Sequence, residues 1–112
     1  MPPNDRTRLL HMLDAAREAV SFASGRTAVD LAQDRMLALA LVKCIEIIGE
    51  AASKISSETR CELEQIPWVD IVGMRNRLIH AYFDIDFDRI YDTITNDMPP
   101  LITTLEVAVE RD

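Results

Sequence analysis

Apolar residues recur at three- and four-residue intervals along most of this chain. Leu9, Leu10, Leu13, Ala16, Val20 and Ala23 form one such stripe, which predicts a first helix from Asn4 or Asp5 to Gly25. A second helix is expected to open at Asp30, with Gln33 as its capping-box partner, and to run past Lys54 without a proline. Leu37, Leu41, Cys44, Ile48, Ala51 and Ile55 line its inner face. At roughly 25 residues and about 1.5 Å per residue it would be the spine of a bundle. Ser56-Ser57-Glu58 closes it and starts a short helix ending around Glu64. Ile66-Pro67-Trp68 is a restart signal, with Pro67 expected at the first helical position. A third main helix should carry Trp68 to about Tyr82. Asp84, Asp86 and Asp88 then form an acidic turn suited to capping the next helix. Pro99-Pro100 must break or kink that last segment, which resumes as Leu101 to Glu110. There is no strand-like alternation, repeat or linker. The pattern predicts one domain over residues 1–112, an all-α antiparallel four-helix bundle with a short extra helix and a kinked C-terminal helix.

Composition narrows the function. The chain has 112 residues, with 19 acidic against 12 basic side chains and a net charge of −7. Such a chain has no general affinity for polyanions, so any nucleic-acid contact must be local or assembled between subunits. Ten of the basic residues are arginines; the lysines are Lys43 and Lys54. Cys44 and Cys61 stand apart, without CxxC spacing, and Cys44 falls in an apolar run as a core thiol would. A reducing, cytoplasmic setting is expected. The N-terminus lacks the apolar run of a signal peptide, and Met36 to Val42 is too short to span a bilayer.

One stretch carries chemistry: Met74-Arg75-Asn76-Arg77-Leu78-Ile79-His80-Ala81-Tyr82. It brings a guanidinium shaped for phosphate close to an imidazole able to move protons near neutrality. On a helical wheel with Arg75 at zero, Tyr82 falls at about −20°, Trp68 at about +20°, Ile79 at about +40° and Ile71 at about −40°. Arg75 is therefore expected in the middle of an apolar face. Either it has a carboxylate partner inside the fold, or the face lines a cleft open to a charged ligand. Asn76 and His80, four apart, would stack on one flank, the amide orienting the imidazole. An apolar surface with a reactive strip suggests a subunit interface on a twofold axis.

Arg75-Asn76-x-x-x-His80-x-Tyr82 resembles the signature of HEPN domains, specifically the HepT-like toxins of prokaryotic toxin–antitoxin pairs. Ile47-Ile48-Gly49-Glu50-Ala51, Ile66-Pro67-Trp68 and Gly73-Met74 fit the same family. The resemblance implies a helical homodimer joined through the motif-bearing face and acting as a metal-independent endoribonuclease without cofactor. It implies catalytic roles for Arg75, Asn76 and His80: His80 moving the proton of a ribose 2′-OH or of the leaving 5′-oxygen, Arg75 holding the scissile phosphate, Asn76 fixing the imidazole. It further implies a nucleotidyltransferase antitoxin as partner, with Tyr82 as the acceptor of AMP groups that silence the toxin. From the residues alone, Tyr82 reads first as a tyrosine packed at an interface with its hydroxyl bonded to a neighbour; the resemblance reverses that order.

Other chemistry-bearing residues have plainer readings. Glu46 and Glu50 are paired in spacing, yet Glu50 precedes Lys54 by four, as a surface ion pair would. Gly49 between them suits close helix approach. Trp68 fits core packing before base stacking. Arg77 points opposite Arg75, as a solvated or salt-bridged residue would. His11 lies on another helix, and no spacing resembles a metal-ligand set. The Asp84–Asp86–Asp88 turn lacks the glycine and closing glutamate of a calcium loop. The rival function is a non-catalytic helical dimer that binds or presents something to a nucleotidyltransferase.

Overall fold

A computed structural model describes residues 1–81 and 84–110, with the backbone alone for His80 and Ala81. Its helices are α1 (Pro3–Ala23), α2 (Ala28–Gln33), α3 (Arg35–Ser53), α4 (Ser57–Glu62), α5 (Trp68–Leu78), α6 (Phe87–Asp92) and α7 (Met98–Glu110). Strands β1 (Ile79–Ala81) and β2 (Asp84–Ile85) form a small antiparallel ribbon between α5 and α6. The fold is an all-α bundle in which α3 packs between α1 and α5, while α7 covers α1 from another side. The inward stripes interlock in a core containing Leu9, Met12, Leu13, Leu41, Ile45, Ile48, Ile90 and Leu105, each at most 2% exposed. Among the described residues no helix is long and apolar enough to cross a membrane.

The expected second helix is two helices. Thr27 caps α2, its hydroxyl accepting from the Asp30 N–H while the Asp30 carboxylate accepts from the Thr27 N–H. Asp30 is thus inside a capping box, not at its start. Asp34, extended at φ −106° and ψ 98°, then caps α3 by accepting from the Leu37 N–H. Two good caps seven residues apart end one helix and begin another without proline or glycine. Gly25, at φ 72°, makes the α1–α2 turn, a conformation costly for a side chain with a Cβ.

The third main helix ends at Leu78, not near Tyr82. Ile79 is extended (φ −133°, ψ 103°) and only 2% exposed. Its branched side chain gains burial in the ribbon, and the Asp86 N–H takes up the carbonyl of Leu78 that the helix end leaves free. The ribbon pairs Ile79 with Ile85 and Ala81 with Asp84. Pro67 is the N-cap rather than the first helical residue. Asp86 caps α6 through the Arg89 N–H, as expected of the acidic turn. The helix does not break at Pro99-Pro100 and resume at Leu101: a π-helical turn over Thr93–Asp97 precedes the prolines, and α7 already begins at Met98. Both prolines then sit in the first turn of α7, where their missing N–H groups cost little.

The amino end of α1 is tied to α4 by a buried carboxylate. Asp5, 3% exposed, accepts from the Ser56 N–H and from the hydroxyls of Ser56 and Thr59. Burial pushes the Asp5 carboxyl upward, but those hydrogen bonds and the charge of Arg8 outweigh it and hold the group below the usual carboxylate range.

Candidate active-site groove

A groove of about 840 Å³ opens between α1, α3 and α5. Its α5 wall carries Val72, Arg75 and Asn76; its α3 side carries Lys43, Glu46, Ile47, Glu50 and Lys54; its α1 wall carries Asn4, Thr7, Arg8 and His11. The strip around Arg75 is therefore open, and it joins polar residues from two other helices.

Arg75 is not at the centre of a buried face. Trp68, Ile71, Met74 and Leu78 form the buried arc of α5, whereas Val69 is 84% and Val72 38% exposed. The arc is thereby rotated away from Arg75, whose side chain is 44% exposed at the groove edge. Both of the expected outcomes for the guanidinium occur together. Its Nε lies 3.5 Å from Glu46 Oε1, a carboxylate partner from α3, and its other face meets the groove. At that distance the contact is a screened ion pair rather than a tight hydrogen bond. The four terminal N–H donors of the guanidinium thus stay available to an anion.

Asn76 lines the groove next to Arg75. The expected stacking of Asn76 on His80 does not follow from helix geometry, because α5 has ended before His80 and that residue belongs to β1. The His80 side chain lies outside the described residues, and so does Tyr82 altogether. Of the four residues singled out in the motif, the structure brings Arg75 and Asn76 together in one groove.

The neighbours mostly follow their plainer readings. Glu50 and Lys54 form the expected pair at 2.9 Å, and the Lys54 ammonium holds the Glu50 carboxyl below its ordinary range. Trp68 is core: 7% exposed, its indole N–H donating to the Leu63 carbonyl at 3.1 Å, with Arg60 over its ring at 5.6 Å. Arg77 turns back to donate to the Asp70 carbonyl on its own helix. Burial raises the Cys44 thiol to about 11, with the Glu18 charge adding to the effect, so it is inert. Among the described residues no three His, Cys, Asp or Glu side chains converge as a metal site would need.

What the sequence reading missed is the α1 wall. His11 had no evident connection to the motif, yet it lines the same groove as Arg75. Asn4, Thr7, Arg8 and His11 fall at i, i+3, i+4 and i+7, a polar stripe that marks one helix face. That stripe was legible; its proximity to Arg75 depends on tertiary packing.

Comparison with known proteins gives a consistent picture. A family model described as "Ribonuclease HepT-like" matches residues 12–108. A protein of Caldanaerobacter subterraneus subsp. tengcongensis named as a putative RNase is 32% identical over 107 residues, 96% of each chain. One of Methanocaldococcus jannaschii, similarly named, is 30% identical over 88% of this chain and 91% of its own. A "Probable ribonuclease HepT" of Thermococcus cleftensis is 36% identical over 72 residues, 64% of this chain and 66% of its own. No solved structure matches the chain.

Proposed function

The chain belongs to the HepT-like ribonuclease family, and from that premise we propose that it is a metal-independent endoribonuclease acting as the toxin of a toxin–antitoxin pair. The observation that carries the reading is Arg75: a guanidinium with available donors, at the edge of an open groove, five residues before the histidine of the motif. Arg75 receives the scissile phosphate and neutralises the charge that builds on its oxygens. A base removes the 2′-OH proton as the 2′-oxygen bonds to phosphorus. The bond from phosphorus to the 5′-oxygen breaks, and an acid protonates that leaving oxygen. The products are a 2′,3′-cyclic phosphate and a 5′-hydroxyl. His80 serves as base or acid, its counterpart being the second His80 of a homodimer.

The exposed apolar stripe Val69 and Val72, beside Arg75 on α5, supports dimerisation through this face. Tyr82, two residues after His80, is the acceptor of AMP from a nucleotidyltransferase antitoxin. Each AMP adds a phosphodiester charge near Arg75 and fills space an RNA phosphate needs. The Arg75–Glu46 contact favours a second reading, a structural ion pair in a non-catalytic helical dimer.

Purified chain incubated with RNA separates the two. Cleavage that leaves 2′,3′-cyclic phosphate ends, persists in EDTA and falls about 10²–10⁴-fold in His80→Ala and in Arg75→Ala meets the expectation. Activity that survives His80→Ala, or that chelator abolishes, refutes the mechanism. With the antitoxin, ATP and Mg²⁺, mass increments of AMP should disappear in Tyr82→Phe. Unchanged wild-type mass would remove Tyr82 from regulation.

A further inference from the structure

We infer that Arg8 and His11 on the α1 wall of the groove, together with Lys43 on its α3 side, form a second binding element for the backbone of single-stranded RNA. This rests on the ribonuclease reading above and adds to it where the strand runs. Charge distribution is the first observation. Arg8, Lys43, Lys54 and Arg75 line the groove against Glu46 and Glu50, in a chain whose net charge is −7. Arg75 is partnered by Glu46, and Lys54 by Glu50. Among the described residues neither Arg8 nor Lys43 has a carboxylate within 4 Å. Arg8 does act at longer range on buried Asp5. The uncompensated positive charge of the groove is thus at Arg8 on α1 and Lys43 on α3 rather than at Arg75.

Helix order fixes where these groups stand. α1 begins where α3 ends, because Asp5 accepts from Ser56 just beyond the α3 C-terminus. α5 is antiparallel to α3, since Glu46 meets Arg75 while Gly49 abuts the carbonyls of Ile71 and Val72. Glu18 lies close to Cys44, so Arg8 belongs to the Lys54 end of the groove, His11 stands level with Glu50 and Val72, and Lys43 lies toward the other end, past Glu46 and Arg75. Packed helices have axes about 8–10 Å apart, so the two walls are centred at most about 16–20 Å from each other across α3. With helix diameters of about 10–12 Å, the gap left between them is under about 10 Å. A single strand fits that gap and an A-form duplex does not. Arg8 and Lys43 take up phosphates that flank the one at Arg75, and the His11 ring stacks against a base.

The test uses a fluorophore-labelled single-stranded oligoribonucleotide carrying 2′-O-methyl groups throughout, which cannot be cut by 2′-OH attack. Its binding is followed by anisotropy from about 50 to 200 mM salt. Arg8→Ala/Lys43→Ala should weaken binding about 10-fold at the low end and reduce the slope of log K against log salt by about 1.4, about 0.7 for each lost phosphate contact. Arg8→Lys/Lys43→Arg should bind as the wild type does. His11→Ala should weaken binding at least 5-fold and His11→Phe restore it. An unlabelled duplex should compete poorly. Unchanged affinity and salt slope in the double alanine variant, or a duplex that competes as well as single strand, overturns the inference. Cleavage of unmodified RNA is scored in parallel. A wild type that cuts while the double variant binds normally sinks the second binding element alone. A wild type that binds in the Arg8- and Lys43-dependent way without cutting sinks the ribonuclease reading and upholds the RNA site.

Discussion

Asp5→Ala should be among the most destabilising single substitutions in this chain, at a position that resembles an ordinary helix-start carboxylate. The side chain accepts from the Ser56 N–H at 3.2 Å, from the Ser56 hydroxyl at 2.5 Å and from the Thr59 hydroxyl at 2.6 Å. Thr59 is fully buried. Hydrogen bonds to a charged group contribute about 1.5–3 kcal/mol each, but they are not additive here. The Ser56 and Thr59 hydroxyls also approach each other at 3.4 Å and recover part of the loss. A net cost of about 3 kcal/mol follows, with stranded donors included. With an unfolding entropy of about 2.1 cal/mol/K per residue, that lowers Tm by about 12 °C. Circular dichroism melts at pH 7 measure it, and a drop smaller than about 3 °C would refute the account. The pH dependence has a definite sign. The folded carboxyl is held below its unfolded value of about 3.9, so its contribution is complete above that pH and is lost as pH falls through the folded value. Asp5→Asn should therefore flatten the acid limb of the stability profile below about pH 4.

Two further outcomes test the packing. In native protein at pH 8 iodoacetamide should modify Cys61, which is exposed, and spare Cys44, whose thiol burial raises to about 11; both should react in urea, and native double labelling would contradict the burial. Gly49→Ala should be neutral or stabilise by up to about 1 kcal/mol, because a helical alanine is favoured and the added methyl meets the Ile71 and Val72 carbonyls at ordinary distances of 3.6 and 3.8 Å. Gly49→Val should instead push α5 from α3, and a Tm equal to that of the alanine variant would show the contact to be looser than described.

Most helices were legible because each buries a stripe whose period survives in sequence. Leu9, Leu13 and Ala16 on α1, and Leu37, Leu41, Cys44, Ile48 and Ala51 on α3, are buried as their spacing requires. The misreadings share a cause: local signals that periodicity does not weigh. The break at Asp34 needs only a side-chain cap, and apolar spacing runs through it unchanged. At Leu78 the same apolar residues suit a helix or a strand, and pairing with Ile85 decides for the strand. The wheel centred on Arg75 took the whole arc around it as apolar and covered, yet Ile71 is buried while Val72, on the other flank, is 38% exposed. The Glu46 partner was in view as a carboxylate one turn from Glu50, and no local pattern could show that α5 lies against it.

Those corrections change the electrostatic picture of the candidate site. Because α5 stops at Leu78, Arg75 sits in the last helical turn, where the backbone carbonyls present negative partial charge. Glu46 adds a full negative charge at 3.5 Å from its Nε. Both stabilise the guanidinium in place, and both oppose the approach of a free phosphate. Arg75 is in this way positioned without becoming a general sink for polyanions, in keeping with a chain of net charge −7. Attraction over distance must come from cations not so compensated, and Arg8 and Lys43 are the groove residues of that kind. On the inference above, a strand held by them would deliver a phosphate to Arg75 from within the groove, with Glu46 yielding only at the moment of contact. On that inference the cations that draw a strand, Arg8 on α1 and Lys43 on α3, are separate from Arg75, whose compensation follows from where helix α5 ends and from Glu46.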